Sequence, residues 1–317
     1  MRIRALLKGA LTFVPGAPAL LPKPPPGSTT ATSYYYGVWL KHLGLLAANG
    51  LDTSPTVVAE LGPGDTLGVG LAALLCGADK YYALDLLAYT QPRKNLAVLD
   101  ELIALLSKRT PRPDKGFPEF AYSRGGELFP TEVLTDERLA RASSPARLAH
   151  LREALGSDTP RAGPIVVQYR APWDDAAVIE RDSVDLVVSQ SVLEHVDDLD
   201  TAYRALYQWL RPGGVMSHLI DLRSHGLTKE WNGHWSISDP MWAVMRGKRS
   251  FLINREPCSA HLEHIRRCGF EILYVAQRRG AAGIGRARLS KRWQPLSDDD
   301  FSCNSVFIQA RKPTGQA

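Results

Sequence analysis

Glu60-Leu61-Gly62-Pro63-Gly64 is the segment of this chain with the clearest chemical meaning. It closes the β-branched run Thr56-Val57-Val58, leads into the apolar stretch from Leu67 to Cys76, and is followed by a second apolar run that ends on Asp85. The order reads strand, glycine turn, helix, strand, acid. Glycines at the first turn of such a unit let the backbone approach a ligand closely, and an acid closing the second strand can accept hydrogen bonds from both hydroxyls of a ribose. A nucleoside-containing ligand is the expectation. The turn departs from the dinucleotide spacing Gly-x-Gly-x-x-Gly, because Gly68 stands four residues after Gly64. Glu60 and Asp65 flank it, and two carboxylates there repel a pyrophosphate but suit an ammonium group beside a sulfonium.

A second cluster runs Asp185-Leu-Val-Val-Ser189-Gln190-Ser191-Val192-Leu193-Glu194-His195-Val196, followed by Leu210-Arg-Pro-Gly-Gly214. Further on, Asp221-Leu-Arg-Ser-His225 precedes Trp231-Asn232-Gly233-His234-Trp235. In doubly wound sheets ligands sit beyond the carboxyl ends of the strands, which is where His195 and the later segment should both project. Imidazole titrates near working pH, so a histidine there can take the proton of an attacking hydroxyl. His234, His195 and His225 are the candidate bases, in that order, although a turn histidine is as readily a structural hydrogen-bonding residue. Asp221 and His225 could ligate a metal, but two ligands make a weak case and no metal is expected. Trp231, Asn232, His234 and Trp235 suit a sugar, which takes an aromatic ring on its apolar face and hydrogen bonds around its edge.

Taken together, the glycine turn and the second cluster resemble the class I S-adenosylmethionine-dependent methyltransferases, the latter matching their "fDlVvs…vLEHv…LkPGG" signature. The resemblance implies S-adenosylmethionine as cofactor, with contacts from Glu60, Gly62, Pro63, Gly64, Asp85, Leu86, Ser189 and Gln190. In that superfamily the loop after the third strand lies against the adenine. Trp173 could then stack on the ring while Asp174 accepts from its exocyclic amine, a core role for Trp173 being equally open. Among Tyr34, Tyr35 and Tyr36, Tyr35 is the candidate to face the sulfonium; the plainer reading packs Tyr36, Trp39 and Leu43 on the sheet. With the Tyr34-to-Leu43 segment and Trp231-to-Trp235 added, the chain looks like a bacterial methyltransferase group linked with surface-polysaccharide biosynthesis. That implies methyl transfer to a hydroxyl of a sugar or glycan intermediate. The alternatives are a methyltransferase of another small metabolite and a catalytically silent cofactor-binding partner protein.

The elements that must position these residues follow from periodicity and breakers. The expected fold is α/β: a Rossmann-like, seven-stranded, mostly parallel sheet with helices on both faces and an antiparallel last strand. Val184 to Val188 is too apolar for a surface strand. Leu199, Ala202, Tyr203, Leu206 and Trp209 form one helical stripe, capped by Asp200 or Thr201 and stopped by Pro212-Gly213-Gly214 before a strand from Val215 to Leu219. Pro164 to Tyr169 reads as the third strand. Ser259 is expected to cap a short helix bearing Leu262 and Ile265, and Glu271 to Ala276 and Ser305 to Ala310 as the last two strands. Residues 1–32 read as an arm and linker, and 33–317 as the domain, with insertions at about 87–163 and 221–258. The first holds helices over Arg93 to Lys108 and Asp136 to Leu155, broken near Ser143-Ser144-Pro145, and is expected to cap the acceptor pocket.

Composition is ordinary for a globular chain of 317 residues, 44% hydrophobic and 22% charged. Cys76, Cys258, Cys268 and Cys303 show no paired spacing and read as buried thiols of a reducing, cytoplasmic compartment. No apolar run reaches the roughly 18 residues of a membrane span. Arg2, Arg4 and Lys8 beside the apolar stretch from Ala10 to Leu21 suggest weak contact of the arm with a membrane surface. The net charge of +5, with Arg278-Arg279 and the basic run from Arg286 to Arg292, suits a phosphate-bearing acceptor. No nucleic-acid recognition module is present, so no nucleic acid is expected. The oligomeric state is left open.

Overall fold

The structure, a computed structural model, describes residues 3–16, 31–112, 129–156, 163–173, 175–249 and 252–315. Its centre is a seven-stranded sheet of β1 (Val57–Leu61), β2 (Lys80–Leu84), β3 (Val166–Arg170), β4 (Val184–Gln190), β5 (Leu210–Asp221), β6 (Glu271–Arg279) and β7 (Cys303–Arg311), in the order β3-β2-β1-β4-β5-β7-β6. The first five run parallel, and β7 is antiparallel to both β5 and β6. This is the expected Rossmann-like architecture, with the antiparallel strand where it was anticipated. Side-chain alternation divides the core. Tyr81 and Ala83 face one layer while Tyr82 and Leu84 face the other, the period of two that a strand buried on both faces imposes.

One layer contains α2 (Thr32–Ala48), α3 (Gly68–Leu75), α4 (Pro92–Ser107), α5 (Asp136–Ala142) and α6 (Pro145–Leu155). Tyr36, Trp39 and Leu43 of α2 are buried there against the sheet, as their spacing suggested. Leu99, Leu102 and Leu151 join the same core, so the described helices of the first insertion flank the sheet beside α3. The opposite layer holds α7 (Leu199–Trp209) and α9 (Cys258–Arg267), with Tyr203, Leu206, Trp209 and Ile265 inward. Burial of each such side chain contributes about 1.5–3 kcal/mol. Trp209 satisfies its one donor by giving Nε1–H to the Ala176 carbonyl at 2.6 Å. Outside these layers, α1 (Ile3–Leu11) packs on α8 (Asp239–Arg246) of the second insertion, Gly9 lying so close that a Cβ would stand 2.2 Å from the Met245 carbonyl oxygen. A short α10 (Asp298–Ser302) leads into β7. Among the described residues no helix is long and apolar enough to cross a membrane.

Three local expectations are corrected. The cap of α7 is Asp198, whose side chain accepts from Thr201 N–H at 2.9 Å; Asp200 is already within the helix. The strand after α7 starts at Leu210 rather than Val215, since Pro212 to Gly214 stay within β5 and displace the register between Val184 and Leu186 on β4. A left-handed Gly213 (φ +80°) absorbs that irregularity. Ser259 does not cap α9. Its N–H is satisfied from far along the chain by Asp300 Oδ1 at 2.9 Å.

Candidate active site

Register brings the chemical groups to one edge of the sheet. Leu61 pairs with Leu84 of β2 and with Ser189 of β4, and Ser189 pairs with His218 of β5, so these strands end at one level. The chain leaves β1 through Gly62 and Gly64, both left-handed (φ +65° and +76°), with buried Pro63 between them. Gly62 N–H donates to the Leu84 carbonyl at 2.8 Å, fastening the turn to the end of β2. A Cβ on Gly62 would stand 2.5 Å from Val192 Cγ2, so the loop after β4 closes on the turn only because a glycine is there. Asp85 lies directly beside it. Its carboxylate accepts from Gly64 N–H at 3.2 Å and from Leu86 N–H at 2.7 Å, and burial raises its proton affinity despite these bonds.

Glu60 and Tyr35 support the turn from behind. Glu60 is 5% exposed and accepts a short hydrogen bond from the Tyr81 hydroxyl. Burial pushes this carboxyl up to about 7, against the opposing hydrogen bonds of Tyr81 and the Gly70 backbone. Tyr35 lays its ring over Gly68, where a Cβ would meet it at 2.3 Å, and its hydroxyl donates to Asp65 at 3.4 Å. Asp65 is itself paired with Lys94. The negative charge expected beside the turn is therefore partly neutralised from α4.

Beyond β4 and β5 lies a compact cluster of ionisable groups. Asp221 ends β5 and holds Arg223 in a two-pronged pair, with Nε at 2.7 Å and an Nη at 2.6 Å. His225, left-handed at φ +47°, turns its Nε2 to 3.4 Å from Asp221 Oδ2 and 3.8 Å from Glu194 Oε1. Its ring meets that of His195 edge-on at 4.9 Å. Glu194 is 2% exposed, and neither carboxylate oxygen has a hydrogen-bond partner among the described residues; the nearby Glu194 and Asp221 amides do not close one. Burial pushes Glu194 up to about 8. Burial also lowers His195, to about 4, with His225 adding to the effect. Burial disfavours the His225 imidazolium too, but the Asp221 hydrogen bond and Glu194 outweigh it, and His225 rises. Asp221 moves the other way, since His225 and Arg223 overcome its burial and hold it below the ordinary carboxylate range. Asp221, Arg223, His225, Thr228, Lys229 and Trp231 line an adjoining cleft of about 670 Å³.

The structure separates the remaining expected residues from that cleft. His234, the first-ranked base, is 1% exposed, packs its ring 4.7 Å from Trp235, and is depressed to about 3 by burial and Arg255. Asn232 ties down Ile284 through both its backbone groups, and buried Trp235 donates to the Arg255 carbonyl at 2.9 Å, leaving Trp231 as the cleft residue of that segment. Ser189 directs its hydroxyl to His218 Nδ1 at 2.8 Å, and Gln190 accepts from Lys41 at 2.6 Å. Trp173, half-buried, meets Trp209 edge-on at 5.3 Å, which favours the core role; Asp174 lies outside the described residues. In the basic loop, Arg286 pairs with Asp298 and Arg292 with Glu256. Glu194, a carboxylate that follows the apolar pair Val192-Leu193 and precedes His195, has no separate role assigned from the sequence.

Residues 144–217 match a family described as a methyltransferase domain, a segment running from α6 into β5. Solved structures with similar folds include an S-adenosylmethionine-dependent methyltransferase from Mesorhizobium loti (16% identity, 89% of this chain and 98% of that one, TM-score 0.39). An S-adenosylmethionine-dependent methyltransferase from Methanosarcina mazei shares 12% identity over 84% of this chain and 97% of that one, with a TM-score of 0.42. The third is a Haemonchus contortus phosphoethanolamine N-methyltransferase in complex with S-adenosyl-L-methionine (16%, 89% and 56%, TM-score 0.41). No curated protein sequence matches the chain. Scores this low add nothing to the sheet order, which carries the fold. The sheet order thus gives the fold, and residues 144–217 give the likeness to the methyltransferase-domain family.

Proposed function

We propose that the chain is an S-adenosylmethionine-dependent O-methyltransferase acting on a hydroxyl of a sugar or glycan intermediate. The observation that carries this reading is the convergence of the Gly62–Gly64 turn, Asp85 and the His225–Asp221 pair at one edge of the sheet of a methyltransferase domain. The residues fit the cofactor. Asp85 stands beside the left-handed Gly62–Gly64 turn, and its carboxylate, with up to about four acceptor sites, keeps acceptor capacity for a ribose hydroxyl beyond the backbone N–H groups it already meets. S-adenosylmethionine, when bound, supplies an electrophilic methyl group on a sulfonium. The chain holds the acceptor and takes its proton. Asp221 at 3.4 Å favours the His225 tautomer with the proton on Nε2, leaving Nδ1 as the accepting nitrogen. Trp231 and the polar wall of Arg223, Thr228 and Lys229 suit a sugar, and Lys229 adds charge for a phosphate it carries.

The arm supports an acceptor presented at a membrane, as a lipid-linked glycan would be. Ala5, Leu6 and Gly9 of α1 face α8, while Ile3 (69% exposed), Leu7 (56%), Phe13 and Val14 lie outward beside exposed Arg4 and Lys8. An apolar ridge with basic flanks complements an anionic lipid surface. The test of the acceptor is transfer of labelled methyl groups to a panel of nucleotide sugars and lipid-linked sugars, with amines as comparators. Incorporation into a sugar, lost by at least about 100-fold in His225→Ala, is expected. Transfer to amines alone would overturn the hydroxyl reading.

A further inference from the structure

Glu194 poses a problem that the methyl-transfer chemistry leaves unsolved. A carboxylate this deeply buried normally has donors on its oxygens, and this one has none among the described residues, although it stands at the end of the strand that leads to the cleft. What surrounds it is a set of metal ligands. One ligand atom each from Glu194, His195 and His225 lie within 4.8 Å of one another, and Asp221 Oδ2 is 3.4 Å from His225 Nε2. The ligands come from two separate elements, the turn after β4 and the loop after β5, and His225 opens to the cleft.

We infer that Glu194, His195 and His225 bind a divalent first-row transition ion of the Zn2+ type, with an open coordination position toward the cleft. The inference rests on the methyltransferase reading only for its role; the site itself is argued from the ligands. Two imidazoles and one carboxylate suit Zn2+ and its neighbours, whereas Mg2+ and Ca2+ prefer all-oxygen shells. Donors on a tetrahedral ion at about 2.1 Å stand about 3.4 Å apart, so the three close on the ion by side-chain rotation. Asp221 is the remaining nearby oxygen, shared with Arg223. The ion satisfies the Glu194 oxygens, which explains a buried carboxylate in the protein interior. With it seated, His225 serves as a ligand in place of its role as base, and an acceptor hydroxyl in the open position is acidified by the ion and releases its proton to solvent in the cleft.

The experiment is calorimetric titration of chelator-treated, full-length protein with Zn2+, Mn2+ and Mg2+, alongside S-adenosylmethionine in the same samples. One Zn2+ per chain is expected, Mg2+ binding much more weakly. Glu194→Gln and His225→Ala should each weaken Zn2+ by at least about 100-fold. His225→Ala removes a cleft-exposed side chain, so it keeps the test alive if the buried Glu194 variant fails to fold. Thermal unfolding gives a second readout: Zn2+ should raise the melting temperature of the wild type and not of His225→Ala. Zn2+ binding unchanged in both variants, or no binding below about 1 mM, overturns the site. S-adenosylmethionine binding with no Zn2+ binding leaves the methyltransferase reading standing and the metal site refuted; the reverse pattern sustains the site and refutes that reading.

Discussion

Glu60 offers a quantitative test of how the glycine turn is built. Its carboxyl is held at about 7 in the folded chain against an ordinary 4.5, because burial outweighs the hydrogen bonds from Tyr81 and the Gly70 backbone. The folded state therefore keeps a proton that the unfolded chain has already released between these two values. Stability must fall as pH rises through that window and level off above about 7. At about 1.4 kcal/mol per unit, the displacement from 4.5 to about 7 corresponds to about 3 kcal/mol. Glu60→Gln replaces the protonated carboxyl by a neutral group of the same shape that still accepts from Tyr81. Urea unfolding of both proteins at pH 5 and pH 8 isolates this one group, since other titrations are common to the two and cancel. The variant should lie within about 1 kcal/mol of the wild type at pH 5 and exceed it by about 3 kcal/mol at pH 8. A difference that is the same at both pH values, or a wild type that gains on the variant as pH rises, refutes the burial argument.

Gly62→Ala should cost about 2 kcal/mol, from a left-handed backbone and a Cβ 2.5 Å from Val192, and Val192→Ala in the same chain should restore about half, read by chemical denaturation. His234→Ala should cost about 2–4 kcal/mol in thermal unfolding while leaving the folded fraction active, whereas a loss of activity without loss of stability would return His234 to the catalytic machinery. Leu7→Glu should abolish co-sedimentation with anionic vesicles and leave neutral vesicles unbound as before; unchanged sedimentation would refute the role given to the α1 ridge.

The fold was legible because its signals are local. The glycine turn, the apolar strands and the Leu199-to-Trp209 stripe each declare themselves within about a dozen residues, and their alternation implies a mostly parallel sheet. What stayed hidden depends on partners distant in sequence. Asp300 satisfies Ser259 from 41 positions away, and the Gly213 N–H within β5 is received by the Lys312 carbonyl just beyond the last strand. The candidate site shows the same division. The positions of Asp85 and the turn are given by spacing, whereas the exposure of each histidine is a property of the packed chain. His234 is enclosed by Trp235 and Arg255, while His225 opens to the cleft with Asp221 behind it. Glu60 and Ser189 likewise sit at readable positions but direct their side chains to Tyr81 and His218.

Calorimetric titration with S-adenosylmethionine and S-adenosylhomocysteine, with NAD as control, tests the central claim most directly when run on wild type and Asp85→Ala. Both sulfur nucleosides should bind the wild type, NAD should not, and the substitution should weaken binding by removing the carboxylate that meets Gly64 N–H and that we propose accepts from the ribose. Binding of NAD alone, or sulfur-nucleoside affinity untouched by Asp85→Ala, would contradict the assignment.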